Sequence, residues 1–199
     1  MGGRCVVKLP WKKNRTLSSD NYVSLQRLKS LQKFKNTDFQ NIYMELMQDY
    51  IDKNQVEFAP ETPVNKSRTF YLLHHVVKQQ KNQNVKYRTV FDVSSHSPGH
   101  PSLNEVLEKG PNLLPEILAT LLCFRLYKQA IICNGSQVFQ QLTLREEDRD
   151  ATRFLWFRIE KDADEKTHLL NDILIYRFSR LPFGLSLGPF LLSASLSQN

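Results

Sequence analysis

The chain has 199 residues, 41% of them hydrophobic, with 12 Phe, 7 Tyr and 2 Trp; that much apolar and aromatic material can build a core and excludes a wholly disordered chain. Its formal charge is +7 with a pI near 9.3, which favours a polyanionic partner without naming it. The three cysteines are odd in number and lack metal-type spacing, and no run reaches the roughly 18–20 apolar residues needed to span a bilayer, so no membrane partner is expected.

The charge is uneven. Residues 1–90 hold 16 Lys and Arg against 7 Asp and Glu, a balance of +9, and residues 91–199 hold 11 against 13, a balance of −2. On charge alone, the basic first half suits a solvated surface and a nucleic-acid face equally. The start MGGRCVVKLPW has no long apolar run, so no signal peptide is expected, and an intracellular setting, cytoplasmic or nuclear, follows. Gly2 invites a myristoylation reading, but Val6 stands where Ser or Thr is needed.

In chain order, residues 4–11 suggest a short strand ended by Pro10. Asp20 then precedes a helical pattern with Tyr22, Leu25, Leu28 and Leu31, and Asp38 starts a second carrying Phe39, Ile42, Tyr43, Leu46, Met47 and Tyr50. FYLLHHVVK (70–78) and VKYRTVFDVS (85–94) flank the polar QQKNQN, which predicts an antiparallel hairpin. Ser102 is placed to cap a short helix over 102–107. Residues 110–128 predict a helix with Pro115 in its first turn, and QAIIC (129–133) a short buried strand. Cys123 and Cys133, in apolar runs, are expected to pack as small hydrophobes. FLWFRIE (154–160) and ILIYRFSRLP (173–182) predict two strands around a charged loop, and residues 183–199 begin a last helix.

His74 and His75 are adjacent on a predicted strand, so they point to opposite faces and cannot share a metal from there. His96 and His100 flank a loop, but no Cys pair or carboxylate completes a zinc set. DVSS at 92–95 lacks the Gly that an aspartic-protease loop requires after its Asp-Ser. Glu146-Glu147-Asp148 is expected to be a solvated helix end.

The ordered series KYRTVFDVS, SLNEVLEKGPNLLPEI, CFRLYKQAIICNGSQVFQQL, EEDRDATRFLWF and RFSRLPFGLSLGPFLL resembles the reverse transcriptases of BEL/Pao-type retrotransposons. The likeness runs from about Val6 to Leu196. It implies an α+β fold: right-hand polymerase fingers plus an incomplete palm, with an N-terminal helical lead-in over residues 1–66 and reverse transcriptase-like fingers and partial palm over 67–199. It implies RNA-directed DNA polymerase ancestry, with RNA/DNA template-primer and dNTP as partners and association with other Pol fragments as a further possibility.

The resemblance also implies roles. Arg88, with its paired donors, would hold triphosphate oxygens, and Lys78 and Lys81 would add charge near the hairpin turn. Phe139 stands at the steric-gate position. Leu181-Pro182-Phe183-Gly184 matches the loop under the templating pair, with Phe183 in place of a polar residue and Gly184 allowing close backbone approach. Gly188-Pro189 stands where Ser-Pro is usual.

Mg²⁺ in this family needs carboxylates. Counting back five residues from Phe139 reaches Asn134, followed by Gly135, and the chain contains no Asp-Asp pair; Asp162 and Asp164 are split by Ala163. The expectation is therefore a truncated, inactive polymerase fragment that needs no cofactor as it stands. The alternatives are a nucleic-acid-binding remnant using the basic half, and an enzyme assembled in trans through an exposed apolar tail, LGPFLLSASL.

Overall fold

The computed structural model describes residues 4–18, 21–32, 37–81, 84–161 and 167–197. Its elements are β1 (Val6–Val7), α1 (Asn21–Gln32), α2 (Thr37–Asp52), β2 (Val56–Phe58), β3 (Leu73–Lys81), β4 (Asn84–Asp92), α3 (Leu103–Val106), α4 (Ile117–Leu126), β5 (Thr143–Leu144), α5 (Glu146–Arg149), β6 (Arg153–Lys161), β7 (Thr167–Phe178) and α6 (Gly188–Leu196). Among the described residues, helices combine with three small sheets: parallel β1–β5, antiparallel β2–β7–β6, and the antiparallel ribbon β3–β4. Asp20, Asp162 and Asp164 lie outside the described residues.

The hairpin forms as the alternating pattern predicts, in antiparallel register from Leu73 opposite Asp92 to Lys81 opposite Asn84. One face of the ribbon turns inward through His74 and Phe91; the other carries Lys86 and Arg88, both exposed, while Lys78 is exposed further along the His74 face, towards the turn. Ser102 caps α3 in a reciprocal box with Glu105: its hydroxyl accepts from the Glu105 N–H, and the Glu105 carboxylate accepts from the Ser102 N–H. β6 is buried at every position from Arg153 to Phe157. Such a continuous run marks a strand covered on both faces rather than one. Phe154 stacks on Tyr176 of β7 at 5.7 Å and meets Phe91 of the hairpin edge-to-face at 5.1 Å. The N-terminal segment shares this core, because β1 pairs with β5 and β2 with β7.

Several expectations change. Only Val6 and Val7 of the first predicted strand join a ladder. Pro115 precedes α4 instead of lying in its first turn, since the helix starts at Ile117. Residues 129–133 form no strand: Ile131 and Ile132 are exposed, as are Cys123 and Cys133. Apolar composition predicts burial only where another element supplies a face, and no described element packs on this stretch. The tail is also less open than expected, because Leu191 and Ser195 of α6 are buried.

Asp148 departs furthest from its predicted place on a solvated helix end. It is fully buried, accepting from the Leu9 N–H at 2.9 Å and the Trp11 indole N–H at 2.7 Å. Beside it lies a buried ionic cluster. Arg153 and Arg177 stand directly opposite on β6 and β7, with Glu57 opposite Arg177 on the other side. Facing like charges would repel. Asp150 stands between them, accepting from Arg153 at 2.9 Å and from Arg177 at 3.2 Å. Arg177 also pairs with Glu57 at 2.8 Å and with Glu146, and Arg149 joins the same two glutamates at 2.9 and 2.8 Å. Burial works against the Arg177 charge, but the Glu146 hydrogen bond and the Glu57, Glu146 and Asp150 charges outweigh it and raise its pKa.

Removing one member of such a cluster leaves an uncompensated buried charge, which costs about 3–5 kcal/mol. Asp150→Ala is therefore expected to lower the urea unfolding midpoint sharply. Glu146→Gln, whose side chain is 57% exposed, should cost about 1 kcal/mol or less. Equal midpoints for the two variants would contradict the assignment.

Candidate functional site

A cleft of about 580 Å³ opens between β4, the C-terminal end of α2 and the turn at 183–184. Its walls include Lys86, Arg88, Phe183 and Gly184. Three of the residues singled out by resemblance, separated by nearly a hundred positions, thus line one space. Phe139 stands just behind it, edge-on to Phe183 at 5.3 Å and 85°.

Each of these residues is held by a local cause. Gly184 has φ +97, and a Cβ there would lie 3.0 Å from Val93 Cγ2 and 3.2 Å from the Phe91 carbonyl oxygen. Glycine is what lets this turn press against the base of the hairpin. Leu181 anchors the approach to the turn, fully buried, with its N–H donating to the Leu142 carbonyl at 3.0 Å. Asn104 on α3 staples the far side: its Nδ2 donates to the Gly184 carbonyl at 3.1 Å and its Oδ1 accepts from the Ser186 N–H at 2.9 Å. Gly188 makes room for the Phe139 ring, since a Cβ would sit 3.2 Å from its Cε1.

Lys78 is exposed on β3 opposite Tyr87, outside the lining of the cleft. Lys81 ends β3, and its side chain lies outside the described residues. Asn134 lies in an exposed irregular stretch between α4 and the turn at Val138–Gln141, and does not line the cleft. Among the described residues, no group of three or more His, Cys, Asp or Glu is gathered to hold a metal ion.

Sequence reasoning missed the remainder of the wall. Lys86 adds a second cation, and Gln55, Gln137 and Gln140 bring amides from two distant segments. Tyr50 stands beside them. Burial first, and then the Asp49 charge, push its phenol above its ordinary pKa, against a hydrogen bond with the Gln140 side chain. Nothing in the spacing of these residues marks them, because loop closure through β2 and β7 brings them together. The one available signal was the polar composition of SQVFQQL.

His74 serves structure. His74 is buried among Tyr43, Phe91, Phe154 and Trp156. Its Nε2–H donates to the Leu155 carbonyl at 2.8 Å, so its Nδ1 accepts from the Tyr43 hydroxyl. Both nitrogens are used by the neutral ring, which leaves none for a metal.

No family model matches this chain, and no curated protein matches it in sequence. Among the described residues, no helix is long and apolar enough to cross a membrane.

Burial, reinforced by the His75 charge and opposed by the Leu155 hydrogen bond, lowers the His74 pKa from 6.5 to about 4. Between those values the unfolded chain takes up a proton that the folded chain refuses, so stability is lost as pH falls through this window. The loss between pH 7 and pH 5 should be about 2 kcal/mol. Urea unfolding of His74→Gln at the two pH values should show this slope flattened, and a slope equal to that of the parent would refute the assignment.

Proposed function

We propose that this chain is a BEL/Pao reverse transcriptase-like protein, with β3–β4 as its fingers hairpin and β5, β6 and β7 as part of a palm, which binds nucleotide and nucleic acid without metal-dependent copying of its own. The observation that carries the reading is the convergence of Arg88, Phe183 and Gly184 on one cleft, with Phe139 packed against Phe183. All four stand at positions to which the resemblance assigns nucleotide-binding roles. The chemistry suits a nucleoside triphosphate: guanidinium and ammonium for phosphate oxygens, aromatic rings for a base.

The lack of copying follows from Asn134. At the position of the first catalytic carboxylate it offers one carbonyl oxygen and no charge, where Mg²⁺ favours carboxylate oxygens. The intact family uses RNA/DNA template-primer, dNTP and Mg²⁺. Of these, this chain is expected to engage the polynucleotide and the triphosphate.

A second reading, a non-enzymatic nucleic-acid binder, is favoured by one observation. Lys86 and Arg88 form an exposed basic pair on one face of the hairpin beside the cleft, and Lys78 adds an exposed cation on the other face.

Two measurements test these readings. Incubated with primed RNA, dNTPs and Mg²⁺ or Mn²⁺, the purified chain should incorporate no nucleotide above background; sustained incorporation would refute the loss of copying. Single-stranded RNA should bind with an affinity that falls with salt, by about 0.7 in log–log slope per phosphate neutralised, and more weakly in Lys78→Ala/Lys86→Ala. Affinity that is flat across salt removes the nucleic-acid reading.

A further inference from the structure

The glutamines of the cleft are tied together in a specific way. Gln55 is pinned through its backbone, its N–H donating to the Tyr50 carbonyl and its carbonyl accepting from the Ser179 N–H, both at 3.0 Å. Its side chain is nearly buried, as is that of Gln140. The Gln55 Nε2 donates to the Oε1 atoms of both Gln137 and Gln140, at 3.2 and 3.4 Å. The Gln140 amide is further engaged with the Tyr50 hydroxyl. What remains is the N–H₂ of Gln137 and the carbonyl oxygen of Gln55, neither of which takes part in a hydrogen bond among the described residues. An unused donor and an unused acceptor therefore belong to two directly bonded side chains.

Two further features bear on the same wall. Gln137 has φ +52, a left-handed backbone that costs a non-glycine residue of this kind about 1 kcal/mol or more and persists where the surroundings enforce it. Thr89, also lining the cleft, has a buried hydroxyl with no hydrogen-bond partner among the described residues. Buried polar atoms left unpaired are uncommon and call for a ligand, a water or an ion.

We propose that Gln137 and Gln55 read the hydrogen-bonding edge of a nucleobase, so that the cleft selects a nucleoside phosphate over a bare polyphosphate. This rests on the nucleotide reading of the cleft given above. A paired donor and acceptor matches a base edge, as glutamine matches adenine. Lys86 and Arg88 supply the phosphate contacts, and the Phe183 ring, about half exposed, offers a face for stacking. Recognition of the base would then come from the chain itself, without a templating strand.

The test titrates the full chain with ATP and, separately, with inorganic triphosphate, by calorimetry. Gln137→Asn keeps a residue that tolerates the left-handed backbone and shortens the amide arm by one methylene. It should weaken ATP about fivefold, the loss of one ordinary hydrogen bond, and leave triphosphate binding unchanged. Arg88→Ala should weaken both ligands about tenfold. If Gln137→Asn leaves ATP affinity unchanged, or weakens both ligands equally, while Arg88→Ala still weakens both, base reading is overturned and the phosphate site stands. If neither ligand binds the parent chain, or Arg88→Ala changes nothing, the nucleotide reading falls as well. Unchanged urea midpoints in the two variants exclude loss of fold as the cause.

Discussion

Two arginines face each other across β6 and β7 in the interior of this protein, and they can do so only because carboxylates from two other segments, β2 and the α5 turn, reach them. Arg153 and Arg177 are almost wholly buried. A buried guanidinium is tolerated when paired and hydrogen-bonded, and is very costly otherwise. Asp150 meets both, Glu57 arrives from β2, and Glu146 from α5. Arg153 also donates to the Pro60 carbonyl at 3.0 Å, and the second oxygen of Asp150 accepts from the Val64 N–H at 2.8 Å. The proline-bearing loop after β2, the α5 turn and the strand pair are thereby fixed to one another by charge and hydrogen-bond geometry as well as by apolar packing.

The cleft depends on that arrangement. β7 leaves the cluster at Arg177, and its next residue, Phe178, is already part of the cleft wall. Three residues later Leu181 is locked against Leu142, and the turn to Gly184 follows. On the other side, Glu57 lies two residues after Gln55, whose carbonyl receives the Ser179 N–H. Both polar walls are thus short tethers from the same buried charges. Loosening the cluster would let the amides and the Phe183 turn drift independently, so stability and ligand affinity should be coupled even for substitutions that never touch the cleft.

The hairpin, the capped α3, the β6–β7 pair and the last helix were legible because each is a local pattern: alternation around a polar turn, Ser three residues before Glu, and unbroken apolar runs. Asp148 was misread because its sequence neighbours, Glu146 and Glu147, have the look of a solvated helix end; only the return of β1 beside β5 places Leu9 and Trp11 over it. The run at 129–133 was misread in the opposite sense. Its apolar residues signal a need for burial, and no described element meets that need, so residues 113–132 present Leu, Ile, Phe and Tyr side chains to solvent. Of the cleft, Arg88, Phe183 and Gly184 are the wall residues that the resemblance also singles out. The glutamines and Lys86 were not legible, because their proximity arises from long-range pairing of β2 with β7 and no short motif records it.

On the proposed reading, one cleft, walled by β4, the 137–140 turn and the 183–184 turn, takes a nucleoside triphosphate. The most direct measurement follows backbone amide chemical shifts of the isotopically labelled chain during titration with ATP. Shifts concentrated at Lys86–Phe91, Gln137–Gln140 and Phe183–Gly184, saturating together with one dissociation constant, are the predicted result. Saturable shifts confined to residues elsewhere, such as α1 or the exposed face of α4, with these three segments unmoved, would contradict it.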